Sequence, residues 1–500
     1  MENLAELAKI ITRHGQKKIE IWHGISDKAG NDYAKTIDYL SHDGDCSEEA
    51  VANLLGMDKN SSRFHSFKHQ LKEKMYTGLL SIDYEVNAAS NYGRSMVECS
   101  RNEHGIRVLL HQSAINAAID LARQTLKKAT KFEFTDIALY CAQMLRRSNS
   151  IAGNKKEYQK YDKECEKYLA ILQNEEISAR CLEQLYVTNV NRNAYNAEDI
   201  KEAHELLTKL AAIAGELPNY RTGLNLYRVK GIVYLFERDF KAALANWDDY
   251  DRHIDRYKNF EFENRMGESA MQRLDIYLNM HDFENGKRCA GLCDTFFSHD
   301  SINWLFAKEL FFLLAMHSKN YEEAGTTIFS VLEHPGYRNI GANKYEKWEL
   351  YRGYFYLLIE VGKVPKEIRN NQKTEFRINK FMNESHVYSK DKRGYNTAIL
   401  ILQVLFLFAG QKFAKATGKI ETLRRYNARH FNKGRFYRTS IFIKMICIAE
   451  KYNYNREETQ KSTSALYNLL IDPANNYSSN QEGIEVIPYP ELWEMIIGLM

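Results

Sequence analysis

Proline is the residue a helix interior tolerates least, because it removes a backbone donor and costs about 3 kcal/mol there. This chain carries six prolines in 500 residues, and the first is Pro218. So long a stretch without the strongest helix breaker favours helix throughout. Strand signals are weak: Asp43-Gly44, a pair that could close a hairpin, is followed by more acid rather than by an alternating apolar run. The expected fold class is all-α.

With 44% hydrophobic and 27% charged residues, the chain has material for a core and lacks the balance of a disordered one. Its longest apolar run, from Thr397 to Gly410, is interrupted by Gln403. That run falls short of the roughly 20 residues a membrane span needs and reads as a buried core helix. The cysteines Cys46, Cys99, Cys141, Cys165, Cys181, Cys289, Cys293 and Cys447 are scattered, mostly within helical apolar pattern, and Met1-Glu2-Asn3 opens no signal peptide. Reduced thiols, a cytoplasmic location and no membrane contact are therefore expected.

Residues 1–82 read as a small helical domain. Ser47 suits an N-cap with Glu48 and Glu49 in the first turn, and a turn follows at Asp58-Lys59-Asn60. A second helix then places Phe64, Phe67, Leu71, Met75 and Leu79 on one face. Helix, tight turn and longer helix are similar to a helix-turn-helix. The other face carries Arg63, Lys68, Lys72 and Lys74 with His65, Ser66 and His69, which suits either a DNA recognition helix or a solvated surface. Residues 83–107 are polar and aperiodic and are expected to be a connector.

A fixed spacing recurs in the middle of the chain. Gly231, Tyr234, Phe240, Ala243 and Trp247 stand at offsets 0, 3, 9, 12 and 16. Leu274, Tyr277, Phe283, Gly286 and Ala290 repeat those offsets, as do Phe312, Ala315, Tyr321, Ala324 and Ile328. A weaker unit uses Ile200, Ala203 and Leu207. The physical content is packing: a small residue admits the partner helix, aromatics fill the hole against the next pair, and no pair buries its apolar face alone.

This pattern resembles the tetratricopeptide repeat superfamily, most closely over residues 190–335, with periods longer than the usual 34 or so residues. The resemblance implies a solenoid of helix pairs over 108–368, followed by a C-terminal helical region, 369–500, with a capping tail. Glu485-Val486-Ile487-Pro488-Tyr489-Pro490-Glu491-Leu492-Trp493 and the stretch Arg438 to Ala449 also resemble a group of bacterial helical-repeat proteins of similar length. That second resemblance bears on architecture alone.

Carried onto this chain, the superfamily's concave first-helix positions are Asn225, Arg228, Ile232 and Leu235, then Glu268, Met271, Asp275 and Leu278, then Phe306, Glu309, Leu313 and Met316. Half are apolar, so the face either binds a protein or peptide partner or is filled by another part of the chain, such as the C-terminal helix. The Lys/Asn set that clamps a peptide carboxylate is absent.

Formal net charge is only +4, yet from Arg369 to Lys444 seventeen Lys/Arg face four acids, a local excess of +13. Lys412, Lys415, Lys419, Arg424, Arg425, Arg429, Lys433, Arg435 and Arg438 are interleaved with Tyr426, Phe431, Phe436 and Tyr437. Such mixing suits nucleic acid, an acidic protein surface or a solvated helix face.

No catalytic motif stands out. His65 and His69 have helical zinc-ligand spacing, but Ser66 stands where a metalloprotease needs its glutamate. Asp43, Asp45 and Ser47 lack the glycine and closing glutamate of a calcium loop. The expectation is a non-enzymatic, cofactor-free and metal-free adaptor or regulator, with a nucleic-acid-associated regulator as the alternative.

Overall fold

The computed structural model describes residues 1–15, 28–41, 46–80, 91–191, 197–337, 342–365, 376, 378, 395–430, 437–472 and 485–500. Among these residues there are twenty-one helices and no strand, so the protein is all-α. Asp43, Gly44, Asp45, Phe431, Lys433, Arg435 and Phe436 lie outside them. No helix among the described residues is long and apolar enough to cross a membrane.

The chain divides into two compact units, Met1–Gln173 with Lys258–Glu261, and Asn174–Tyr257 with Phe262–Met500. The division at 173 and 174 lies inside a helix.

The first unit opens with α1 (Glu2–Gly15), α2 (Lys28–Ser41), α3 (Glu48–Leu55) and α4 (Ser62–Leu80). As the sequence implies, the Ser47 side chain caps α3 by accepting from the Ala50 amide at 3.2 Å. Gly56, at φ 62°, ends that helix in the left-handed region that glycine enters without penalty. Phe64, Phe67, Leu71 and Met75 of α4 are buried with Leu4, Ile11, Tyr33 and Val51, and Tyr33 stacks on Phe67 at 4.7 Å.

α5 (Asn91–His111), α6 (Ile115–Lys131) and α7 (Thr135–Ile151) follow, then α8 (Lys155–Asn191). The expected connector is thus helical from Asn91 onward. Its buried positions, Tyr92, Ser95, Cys99 and Ile106, keep helical spacing, but two of the four are small and weakly apolar, which hid the period. Tyr92, Phe132, Phe134 and Phe260 form an aromatic cluster with ring centroids 5.0 to 6.1 Å apart.

The second unit continues with α9 (Ala197–Glu216), α10 (Tyr220–Glu237), α11 (Phe240–Arg256), α12 (Phe262–Met280), α13 (Phe283–Phe296), α14 (Ile302–His317), α15 (Tyr321–Leu332) and α16 (Ala342–Glu360). Each helix packs on the next, and α12 also packs on α14. The turns share one construction. Arg238, His281 and Lys319 take φ of 59°, 55° and 60° and are followed by Asp239, Asp282 and Asn320. The two aspartates cap α11 and α13 through their side chains. At Gly231 a Cβ would lie 3.2 Å from the Trp247 indole, which is why a small residue stands there.

A left-handed turn residue of the same kind recurs beyond residue 335. α17 (Tyr395–Ala409) meets α18 (Phe413–His430) through Gln411 at φ 57°. Phe413, Ala416 and Ile420 repeat the spacing of Phe240, Ala243 and Trp247, with Ala416 and Ile420 fully buried. α19 (Tyr437–Lys451), α20 (Arg456–Ile471) and α21 (Tyr489–Leu499) complete the unit. One hydrophobic cluster runs from Ala270 to Ile497 and includes Trp348, Tyr351, Tyr354, Tyr356 and Leu357 of α16, the apolar residues of α17, and Leu492, Trp493 and Ile496 of α21.

Candidate functional site

The first-helix face on α10, α12 and α14 is more occupied by intramolecular contacts than its composition implied. Arg228 donates from Nε and Nη2 to the two carboxylate oxygens of Glu268, both at 2.6 Å. Glu268 also accepts from the Tyr250 hydroxyl at 2.8 Å and from Arg265 at 3.1 Å. Burial pushes the Glu268 carboxyl up, but the hydrogen bonds and charge of Arg228, with Arg265 and Tyr250, outweigh it and the net shift is down. Asn225 donates to Ser178 at 3.0 Å and accepts from Arg228. Further along, Glu309 accepts from Lys347 and from the Tyr351 hydroxyl.

Leu278, Leu313 and Met316, placed by the sequence on a face that either binds a partner or is filled by the chain itself, are fully buried in the large core cluster. Ile232, Leu235 and Met271 are half-buried. Phe306 is the exception at 46% exposure, and Ile302, one turn earlier on α14, is 69% exposed.

Asp275 shares the α12 face with Glu268 and is half-buried, yet no cation or donor meets its carboxylate among the described residues. Burial alone raises it to about 6. Asp248 and Asp249, by contrast, are paired: Arg273 reaches Asp248 at 2.8 Å, and Arg252 reaches Asp249.

The basic set divides sharply. Lys412 and Lys415 are exposed and Lys419 is half-buried. Arg424 and Arg425 are exposed but both engage Glu421, at 2.6 and 3.0 Å, and Arg424 also holds Glu450 at 2.6 Å. The side chain of Arg429 lies outside the description. Arg438 is not a surface cation: it is 7% exposed and forks onto Glu485 at 2.9 and 2.8 Å while donating to the Leu470 carbonyl at 2.7 Å. Only its partner, far along the sequence, explains a buried guanidinium, so charge pattern alone misassigned it.

That pair anchors a site the sequence did not announce. Glu485 Oε1 also accepts from the Tyr489 amide at 2.9 Å, and its backbone carbonyl lies 2.8 Å from His317 Nε2. Tyr489 stacks on Phe442 at 4.5 Å and meets Thr439 by hydroxyl at 2.8 Å. The Tyr321 hydroxyl bonds Glu491. His281 lies 5.8 Å from His317, ring centre to ring centre.

On α4, Lys68 pairs with Glu48 at 2.6 Å, and Lys72 and Lys74 lie over the rings of Tyr76 and Tyr33. A cavity of about 500 Å³ lined by Met1, Asn3, Leu4, Cys46, Ser47, Glu48, Lys68 and Lys72 opens beside them. Cys289 and Cys293 are buried, and burial pushes their thiols up to about 11 and about 12, the setting of packing residues rather than nucleophiles. Among the described residues no three His, Cys, Asp or Glu side chains group as metal ligands. No family model, curated protein or solved structure matches the chain.

Proposed function

We propose that this protein is a non-enzymatic adaptor or regulator that holds a protein or peptide partner on a tetratricopeptide-like solenoid of helix pairs. The recurrent left-handed turns and the repeated aromatic–small–apolar spacing support the solenoid reading. The observation that carries the binding reading is the exposed pair Ile302 and Phe306 on α14, on a face whose other candidate positions are half-buried or buried. Exposed apolar neighbours of this kind are typical of contact surfaces.

The nucleic-acid reading has less support, since Arg424 and Arg425 share Glu421 and Arg438 is buried. Among the described side chains of the basic set, Lys412, Lys415 and Lys419 remain for it. The test compares cross-linked partners of the wild-type chain with those of an Ile302→Asp, Phe306→Asp variant, each partner then purified and titrated. Loss of binding in the variant with helicity intact supports the adaptor. A salt-sensitive complex with duplex or single-stranded nucleic acid, abolished by Lys412→Glu and Lys415→Glu and untouched by the α14 variant, overturns it.

A further inference from the structure

Residues 485–500 return to a part of the chain some 170 positions earlier, and their seat contains a histidine in a constrained state. His317 Nε2 faces the Glu485 carbonyl oxygen, an acceptor only, so Nε2 carries the proton. His317 Nδ1 is then a bare lone pair, and it is buried without a hydrogen-bond partner. We propose that residues 485–500 form an acid-released strap, bonded to His317 of α14 and packed on α17, α19 and α20 while His317 is neutral, and leaving that seat when His317 takes up a proton.

Protonation would add an N–H with no acceptor in a water-poor site. The charged and titratable groups around it come from every neighbouring element. His281, from the turn between α12 and α13, would be a second cation in acid, and Arg438 of α19 is a permanent one. Glu485 supplies the opposing charge, but both its oxygens are committed to Arg438 and one also to the Tyr489 amide. Glu491 Oε1 accepts from Tyr321 and lies 3.9 Å from Lys319, while its Oε2 is buried without a hydrogen-bond partner. Tyr354 of α16 and Tyr489 stay neutral, since burial raises both hydroxyls. The way to hydrate an imidazolium here is to lift the strap.

The direction and window follow from the environment. Burial lowers His317 from an ordinary 6.5 to about 4 and lowers His281 too. A base with a depressed folded value stabilises the seated state fully above its ordinary value, and that contribution is lost as pH falls from about 6.5 toward 4. Glu485 acts lower: burial raises it but Arg438 brings the net shift down, so its contribution is lost only beneath its ordinary 4.5. Between pH 6.5 and 4.5 His317 is the group bonded to the strap whose stabilising contribution is being lost.

Hydrogen–deuterium exchange of the full chain, corrected for the intrinsic pH dependence of exchange, reads this directly. Protection of 485–500 should fall between pH 6.5 and 4.5, by up to about tenfold per pH unit, while α10 to α13 keep theirs. His317→Gln keeps a donor for the Glu485 carbonyl and cannot titrate, so its strap should hold across the window. The proposal is overturned if the wild-type strap keeps its protection to pH 4.5, if it is lost only together with α10 to α13, or if His317→Gln responds as wild type does. Were that variant not to fold, the wild-type comparison of strap and helices decides alone.

Discussion

Arg438 and Glu485 stand 47 positions apart and meet as a two-pronged ion pair, with side chains 8% and 5% exposed. Every oxygen and nitrogen of the fork has a partner, which is the condition under which a buried pair is tolerated. Removing one side should be severe. Arg438→Ala is expected to cost about 3–5 kcal/mol in denaturant unfolding, and Arg438→Met with Glu485→Leu much less than the sum of the single changes. A double variant that costs as much as the two single changes added together would mean that packing, rather than the charge pair, sets the effect.

Asp275 gives the opposite sign. Its folded carboxyl is raised from 3.8 to about 6 by burial with no compensating partner, so its contribution is fully present below its ordinary value and lost as pH rises through about 6. Asp275→Asn should therefore stabilise the protein at pH 7.5 by about 1–2 kcal/mol after allowance for solvent screening. Thermal unfolding at pH 7.5 and at pH 4 checks this: the gain should vanish at the lower pH.

Gly267 faces the ring of Phe297, where an added Cβ would come within 2.6 Å of Cε1. The ring is 5% exposed and has little room to move. Gly267→Ala should destabilise by about 1–3 kcal/mol despite its better helix propensity, whereas Gly291→Ala on α13, which meets nothing within 4 Å, should be neutral or mildly stabilising. Chemical unfolding of the two variants side by side separates crowding from propensity.

Buried thiols should be slow to react. Burial raises Cys99 and Cys289 to about 11 and Cys141 and Cys293 to about 12, leaving almost no thiolate at pH 7.5. Native-state labelling is expected to modify the half-buried Cys46 first, and these four only as the chain unfolds.

Local pattern carried the fold further than the site. Helix existence, the Ser47 cap, the α4 face and the small-residue positions at Gly231 and Gly286 were legible because each depends on spacing within a few turns. The late copy at Phe413, Ala416 and Ile420 keeps the same spacing and is equally local in its sequence signal. The fate of the charged side chains was not legible. Arg228, Glu309 and Arg438 find their partners 38 to 47 positions away, and no local period encodes such a meeting.

The contact between His317 and Glu485 also bears on how the chain reaches this state. Stacked helix pairs ordinarily assemble from neighbours, each step closing a short loop. A bond that spans 168 positions requires the last helix to wait until α14 and α19 are in place, and chain entropy opposes that meeting until late. Translation imposes the same order, since Glu485 emerges long after His317. Loop closure on this scale costs more entropy than any contact between neighbouring helices, and a chain cut before Glu485 should leave Phe442 without the Tyr489 ring that stacks on it.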